Sequence, residues 1–200
     1  MAKKKIGLYG GAFNPIHDGH IAVAKSAKFA LELDEVWLLI DTSPRRKTGV
    51  VSYEHRVQMA YLAAEAHDYI LIEPHKSIRA KTHDHTSMTE LMEQYPDTEF
   101  CMIMGSDSYR YLPLWQNKEV FIRNCDFYVV SRDLDNEIAA KQVSQTLSRA
   151  GNDLEVHYAA TCSPYSSTSI RQALIDGSKP RGINQKVLAY INRYNLYKTN

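Results

Sequence analysis

The stretch Gly10-Gly11-Ala12-Phe13-Asn14-Pro15-Ile16-His17-Asp18-Gly19-His20 constrains this chain more than any other. An apolar run, Ile6-Gly7-Leu8-Tyr9, precedes it and reads as a buried strand, and Ile21, Ala24, Lys28 and Leu31 follow at helical spacing. Strand, glycine turn and helix, in that order, present unpaired backbone N–H groups and the positive end of a helix to an anion. Gly10 and Gly11 let the backbone approach a phosphate with no Cβ in the way. Asn14-Pro15 fixes a turn, and His17 and His20, three apart, fall on one side of the helix start. Two imidazoles converging on a glycine-rich cradle point to the handling of a polyphosphate. Gly10-Gly11 alone would be an ordinary tight turn; the eleven residues together are far more specific. No Gly-Lys-Ser/Thr follows, so this is not a Walker loop, and the glycine spacing is wrong for the dinucleotide fingerprint.

Apolar strand-like runs alternate with helical patterns along the rest of the chain. Strands are predicted at Lys5–Gly10, Glu35–Asp41, Tyr69–Glu73, Glu99–Gly105, Asp126–Ser131 and Leu154–Tyr158. Helices are predicted at Gly19–Glu32, Tyr53–His67, Ser87–Tyr95, Glu119–Asn124 and Leu134–Arg149. Val36-Trp37-Leu38-Leu39-Ile40 and Cys101-Met102-Ile103-Met104 are apolar on both faces, as in a parallel sheet covered on both sides. The rhythm is that of a doubly wound α/β fold: a Rossmann-like parallel sheet, helices on both faces, in one domain over residues 1–200 with helices at the C-terminus. Ligands in such sheets sit outside the carboxyl ends of the strands. The Gly10 loop, Asp41-Thr42-Ser43, Gly105-Ser106-Asp107 and Ser131-Arg132 all fall at such ends, so they are expected to share a site.

Composition narrows the function classes. Two hundred residues with 44% apolar and 24% charged content suit one soluble domain, and a net charge of +1 argues against a strongly basic nucleic-acid binder. No run approaches eighteen apolar residues, so no membrane span is expected. Three cysteines, Cys101, Cys125 and Cys162, lack close spacing and read as buried free thiols of a cytoplasmic protein. Lys3-Lys4-Lys5 precedes an apolar stretch that breaks too soon for a signal peptide. The loop Thr42-Ser43-Pro44-Arg45-Arg46-Lys47-Thr48-Gly49 is equally readable as a solvated loop and as one that grips a phosphate. His75, His83 and His85 with Asp84 offer metal-ligand types without fixed spacing, and no metal site is assigned to them.

Near the C-terminus, Ser163-Pro164-Tyr165-Ser166-Ser167-Thr168-Ser169-Ile170-Arg171 follows the last strand. One hydroxyl suffices to cap a helix, and here there are several, with Arg171 one turn after Thr168. Hydroxyls, N–H groups and a guanidinium on one first turn can bind a phosphate together. A plain cap is the alternative. The tail, Ile183 to Tyr197, reads as a docked helix with Asn184 as N-cap and Val187, Ile191 and Tyr194 as its apolar stripe.

The first loop resembles the G-G-x-F-N/D-P-x-H-x-G-H motif of the nucleotidylyltransferase superfamily, and Ser166-Ser167-Thr168-Ser169-Ile170-Arg171 resembles its S-S-T-x-I/V-R motif. The ending resembles V-x-x-Y-I-x-x-x-x-L-Y of bacterial nicotinate mononucleotide adenylyltransferases. Pro44 with Lys47, Glu54-His55-Arg56 with Met59, and Gly105-Ser106-Asp107-Ser108 with Leu112 and Trp115 point to the same family. The resemblance runs from residue 5 to 197. Two segments depart from it: Ser43-Pro44-Arg45-Arg46-Lys47 stands for Pro-Pro-His-Lys, and His83-Asp84-His85-Thr86-Ser87-Met88 for Tyr-Thr-x-x-Thr-Leu.

The resemblance implies an enzyme that joins ATP and a pyridine mononucleotide, the nicotinate form, into deamido-NAD with release of pyrophosphate. It implies catalytic roles for His17, His20 and Arg171. ATP would be held by Gly10, Gly11, Ala12, Phe13, Lys47, Gly105, Asp107, Arg132, Ser166, Ser167 and Thr168. The mononucleotide would be held by Asn14, Thr86, Ser87 and Trp115, although a partly buried indole such as Trp115 is also an ordinary core residue. Mg²⁺ would arrive with ATP. Nicotinamide mononucleotide is the main rival acceptor. Phosphopantetheine and cytidylyl-transfer enzymes fit the chain length and Trp115 less well, and a sensor that binds ATP without catalysis fits intact His17, His20 and Arg171 less well. Neither nucleic acid nor a membrane is an expected partner, and a homo-oligomer is compatible with the sequence.

Overall fold

Six strands, β1 (Lys4–Gly11), β2 (Glu35–Ile40), β3 (Ile70–Ile72), β4 (Thr98–Gly105), β5 (Cys125–Ser131) and β6 (Val156–Ala160), form one sheet in the computed structural model. The model describes residues 3–44, 49–72, 85–152, 154–160 and 163–198. Strand order is β3-β2-β1-β4-β5-β6 and every pairing is parallel. This is the doubly wound order, in which the chain returns to the middle of the sheet and reverses its direction of growth between β1 and β4. The predicted α/β class is therefore the observed one.

Eight α-helices cover the sheet among the described residues: α1 (Asp18–Ala30), α2 (Tyr53–Ala64), α3 (His85–Gln94), α4 (Ser106–Tyr109), α5 (Lys118–Asn124), α6 (Leu134–Arg149), α7 (Ser167–Ile175) and α8 (Gln185–Arg193). Strand alternation sends Tyr9, Leu38, Ile103 and Tyr128 to the layer that contains Ala24, Met59, Ile170 and Val187. It sends Leu8, Trp37, Met102 and Phe127 to the layer that contains Leu91, Tyr109, Phe121 and Ala140. Gly7 allows β1 to sit at the centre: a Cβ there would stand 2.6 Å from Ile103 and 2.7 Å from Leu33. Cys101 and Cys125 are buried and free, and they face opposite layers.

Most predicted elements end within a few residues of the observed ones, with three differences. β6 runs two residues later than predicted because the bond from Phe127 N–H to Glu155 O (2.9 Å) starts the pairing, which then continues to Ala160 beside Ser131. The tail of the second predicted helix, to His67, instead turns through bonds from His67 N–H and Ile70 N–H that deliver the chain to β3. α4 and the 3₁₀ turn Leu112–Leu114 have no counterpart among the predicted elements. Among the described residues no helix is long and apolar enough to cross a membrane.

Candidate active site

At the carboxyl ends of β1 and β4, where the order of the sheet reverses, lies a cleft of about 570 Å³. A crevice of this size at this place in a doubly wound sheet suits a nucleotide-sized ligand. The starts of α1, α4, α6 and α7 all open onto it. The positive ends of helices therefore face one volume.

The β1–α1 loop is built around two imidazoles. His17 is the N-cap of α1, and its Nδ1 accepts from Gly19 N–H at 3.1 Å. His20 Nδ1 accepts in turn from His17 N–H, also at 3.1 Å, closing a reciprocal capping box made of histidines. The two rings lie against each other at a tilt of 34°, with centroids 3.7 Å apart. A backbone donor on Nδ1 fixes the tautomer of a neutral imidazole, so both rings carry their proton on Nε2. His17 Nε2 is buried with no hydrogen-bond partner among the described residues. Burial, and after it the Arg132 guanidinium, pushes the His17 pKa down to about 4, so the ring is a neutral donor at pH 7.

Phe13 braces His20. Its ring meets His20 edge-on at 5.0 Å and Tyr9 at 5.5 Å. Phe13 holds φ at +46°, a left-handed conformation that costs energy for a side chain of this size and persists because the buried ring is packed. Gly11 makes room, since a Cβ there would sit 3.1 Å from the Phe13 ring. The Asn14–Pro15 peptide bond that follows is cis.

Buried Arg56 joins this loop to the one after β2. Its Nη1 donates to Ala12 O (2.9 Å) and Asp41 O (2.6 Å), and its Nε donates to Val51 O (3.2 Å). From the far end of the chain, α7 docks on the same loop: Ser167 Oγ donates to Pro15 O at 2.9 Å and Arg171 Nη1 to Asn14 O at 2.7 Å. Arg171 Nη2 donates to Thr168 Oγ1 at 3.3 Å, and Ser166 caps α7 with Ser169 as its partner in a second capping box. The hydroxyl cluster is thus both a cap and part of the cleft wall. At the β4 end Gly105 packs under Asp107, with only 2.3 Å between a built Cβ and Asp107 Oδ1. Arg132 and Asp107 are the charges that act on the buried Tyr9 hydroxyl, whose pKa burial raises.

The cleft brings together His17, His20, Gly10, Gly11, Ala12, Phe13, Asn14, Gly105, Asp107, Arg132, Ser166, Ser167, Thr168 and Arg171 of the expected residues. Lys47 lies outside the described residues, as do His75, His83 and Asp84. Thr86 and Ser87 open α3 and do not line the cleft. Trp115 does not line it either; its indole packs edge-on against Phe121 at 5.2 Å. Among the described residues no cluster of three His, Cys, Asp or Glu side chains could hold a metal ion. Residues that the sequence reading missed also line the cleft, notably Tyr165, Asn136 and Asp133. Tyr165 packs closely on Gly182 (φ +71°), where a Cβ would come within 2.1 Å of its ring, a contact between distant segments that local sequence pattern does not show.

Residues 8–173 match the family model described as cytidylyltransferase-like. A probable nicotinate-nucleotide adenylyltransferase of Christiangramia forsetii is 31% identical, over 98% of this chain and 99% of its own. One of Flavobacterium johnsoniae is 33% identical over 97% and 99%. In fold, the chain is similar to the Plasmodium falciparum nicotinic acid mononucleotide adenylyltransferase complexed with NaAD, with a TM-score of 0.75, 21% identity and 97% of both chains covered. By the family model and these full-length relatives, the chain belongs to the cytidylyltransferase-like family, among its nicotinate-nucleotide adenylyltransferases.

Proposed function

We propose that this enzyme transfers the adenylyl group of ATP to nicotinate mononucleotide, giving deamido-NAD and pyrophosphate. An oxygen of the mononucleotide phosphate forms a bond to the α-phosphorus of ATP while the bond from that phosphorus to the β-phosphate bridge breaks. No covalent enzyme intermediate is needed. The rate comes from aligning two anions and from stabilising charge on the leaving group. The whole chain, residues 1–200, acts as one nucleotidylyltransferase domain, and it works in the cytoplasm, in keeping with buried free Cys101 and Cys125.

The histidine pair carries this reading. Two imidazoles fixed as Nε2–H donors at the mouth of a glycine turn suit an anion and are poorly suited to removing a proton. His20, the more exposed of the two, donates to the phosphate that bears the developing charge, and the orphaned Nε2–H of His17 takes an oxygen arriving at the cleft floor. Arg171, Thr168 and the α7 start hold the outer phosphates, joined by Lys47. Asp107 accepts from a ribose hydroxyl, and Arg132 adds positive charge beside the glycine turn. Asn14, which lines the cleft, serves the mononucleotide; Thr86, Ser87 and Trp115 lie outside the cleft, and only the family resemblance supports a mononucleotide role for them. The triphosphate brings its own Mg²⁺, with phosphate oxygens as the main ligands.

Preference for the acid over the amide follows from the relatives' full-length similarity. The test is a pyrophosphate-release assay with ATP and a panel of phosphorylated acceptors, comparing kcat/KM for the nicotinate and nicotinamide mononucleotides. The expected ratio favours the acid. A higher value for the amide would overturn the acceptor and leave the chemistry standing; no release with either would overturn the function.

A further inference from the structure

Asn14 is a joint between segments far apart in the chain. Its Nδ2 donates to Gly49 O at 3.1 Å and its Oδ1 accepts from Val51 N–H at 3.2 Å. The second lone pair of Oδ1 accepts from the hydroxyl of Tyr197, 183 residues away, at 2.8 Å. Both acceptor sites of the amide oxygen are thereby filled, while Nδ2 keeps a second hydrogen that these bonds do not use. Asn14 lines the cleft, so that hydrogen is available to an acceptor bound there.

Tyr197 comes from the segment after α8 and packs against the core layer formed by α1, α2, α7 and α8. Arg171 and Arg56 are its charged neighbours. Val51 does not depend on Tyr197 for its place, because Arg56 Nε also holds its carbonyl. The backbone of Asn14 is likewise held by Arg171. What the Tyr197 hydroxyl controls is therefore the side-chain amide of Asn14. Remove it, and one lone pair of a buried amide oxygen is left empty; the amide keeps its bonds to Gly49 and Val51 but loses the third anchor that fixes its tilt in the cleft, while the loops stay in place.

We infer that Tyr197 is a positioning residue for the acceptor substrate: its hydroxyl, on Asn14 Oδ1, holds the amide so that the spare Nδ2 hydrogen meets the mononucleotide phosphate. The inference rests on the adenylyl-transfer reading above. It separates the two substrates, because the triphosphate side of the cleft is held by Arg171 and the α7 start.

The experiment compares Tyr197→Phe with the wild type, since phenylalanine keeps the ring packing and removes only the hydroxyl. The KM for nicotinate mononucleotide is expected to rise about three- to tenfold, the effect of one misplaced hydrogen bond. The Kd for ATP by calorimetry stays within about twofold, and the melting temperature falls by no more than about 4 °C. In an Asn14→Ala background, Tyr197→Phe adds no further change in KM, because its path of action is already gone. Unchanged KM in Tyr197→Phe, a parallel loss of ATP affinity, or effects of the two substitutions that multiply would each overturn the inference. Should Asn14→Ala fail to fold, the single variant decides alone, by the split between mononucleotide KM and ATP Kd. A wild-type enzyme that forms no dinucleotide would instead overturn the reaction on which the inference rests.

Discussion

His17 N–H donates to His20 Nδ1 at 3.1 Å, and the two rings lie against each other at a tilt, their centroids 3.7 Å apart. Each ring accepts a backbone proton on Nδ1, so neither can pick up a second proton without breaking a cap of α1. The pair is oriented to donate from Nε2. Under the proposed function a helix cap and a phosphate site are one structure, since the bonds that orient the rings also cap the start of the helix.

Replacing His20 by alanine separates these roles. The helix loses one acceptor of a capping box, which costs about 1 kcal/mol. The reaction loses a donor to the charged leaving group, typically ~2.7–4 kcal/mol, so kcat should fall about a hundred- to thousand-fold. Circular dichroism and single-turnover kinetics measure the two effects. Turnover close to wild type would remove His20 from the mechanism.

His17 predicts the pH dependence of stability. Its pKa lies near 4 in the fold, against an ordinary 6.5 in the unfolded chain. Between these values the unfolded chain binds a proton that the folded ring refuses, so stability falls as pH falls from about 6.5 to about 4. A shift of this size corresponds to roughly 3 kcal/mol across the window. Asparagine at 17 keeps an N-cap acceptor for Gly19 N–H and does not titrate. Urea unfolding at pH 7 and pH 4.5 should show the wild type losing about 2–3 kcal/mol more than His17→Asn. Parallel losses would mean that His17 is not the group responsible.

Much of this was legible from local pattern. Runs such as Cys101 to Met104 are apolar on both faces, and only a strand in a covered parallel sheet buries both. The eleven-residue loop pointed to a site at the end of β1 because glycines, a proline and two histidines at fixed spacing serve few other purposes, and the loop lines the cleft. Short elements were not legible: four residues of α4 are too few to show a period. Nor were contacts such as Tyr197 with Asn14 or Arg171 with Asn14, which depend on how distant segments meet. The capping boxes at His17 and Ser166 lie between these cases. Their spacing was visible, but that Ser166 serves the cap while Ser167 reaches the β1–α1 loop was not.

Arg171 spans two elements, with Nη1 on Asn14 O and Nη2 on Thr168 Oγ1. Lysine has one ammonium and cannot hold both while also meeting a phosphate. Arg171→Lys should weaken ATP binding about tenfold, and the melting temperature should fall by only a few degrees, about 2–4 °C per kcal/mol. Calorimetric titration with ATP checks this. Unaltered affinity would reduce the hydroxyl–arginine cluster to a helix cap.

Gly105→Ala tests Asp107 without touching it. Gly105 has φ −74° and ψ 150°, which alanine adopts freely, so the backbone has no reason to resist. A Cβ at this position would lie 2.3 Å from Asp107 Oδ1, and the next atom in reach, Asp107 Cγ, is at 3.5 Å. The carboxylate is the tip of a flexible, exposed side chain, so it gives way and the fold does not. Stability should therefore stay within about 1 kcal/mol of wild type and can rise, because alanine restricts the unfolded chain. ATP affinity should nevertheless drop, by about three- to tenfold, as the displaced carboxylate loses its sugar hydroxyl. Asp107→Ala should then show a similar loss, and the double variant no more than either alone. If Gly105→Ala binds ATP as well as the wild type does, Asp107 does not touch the nucleotide, and the bond to the ribose must come from another group on the cleft wall.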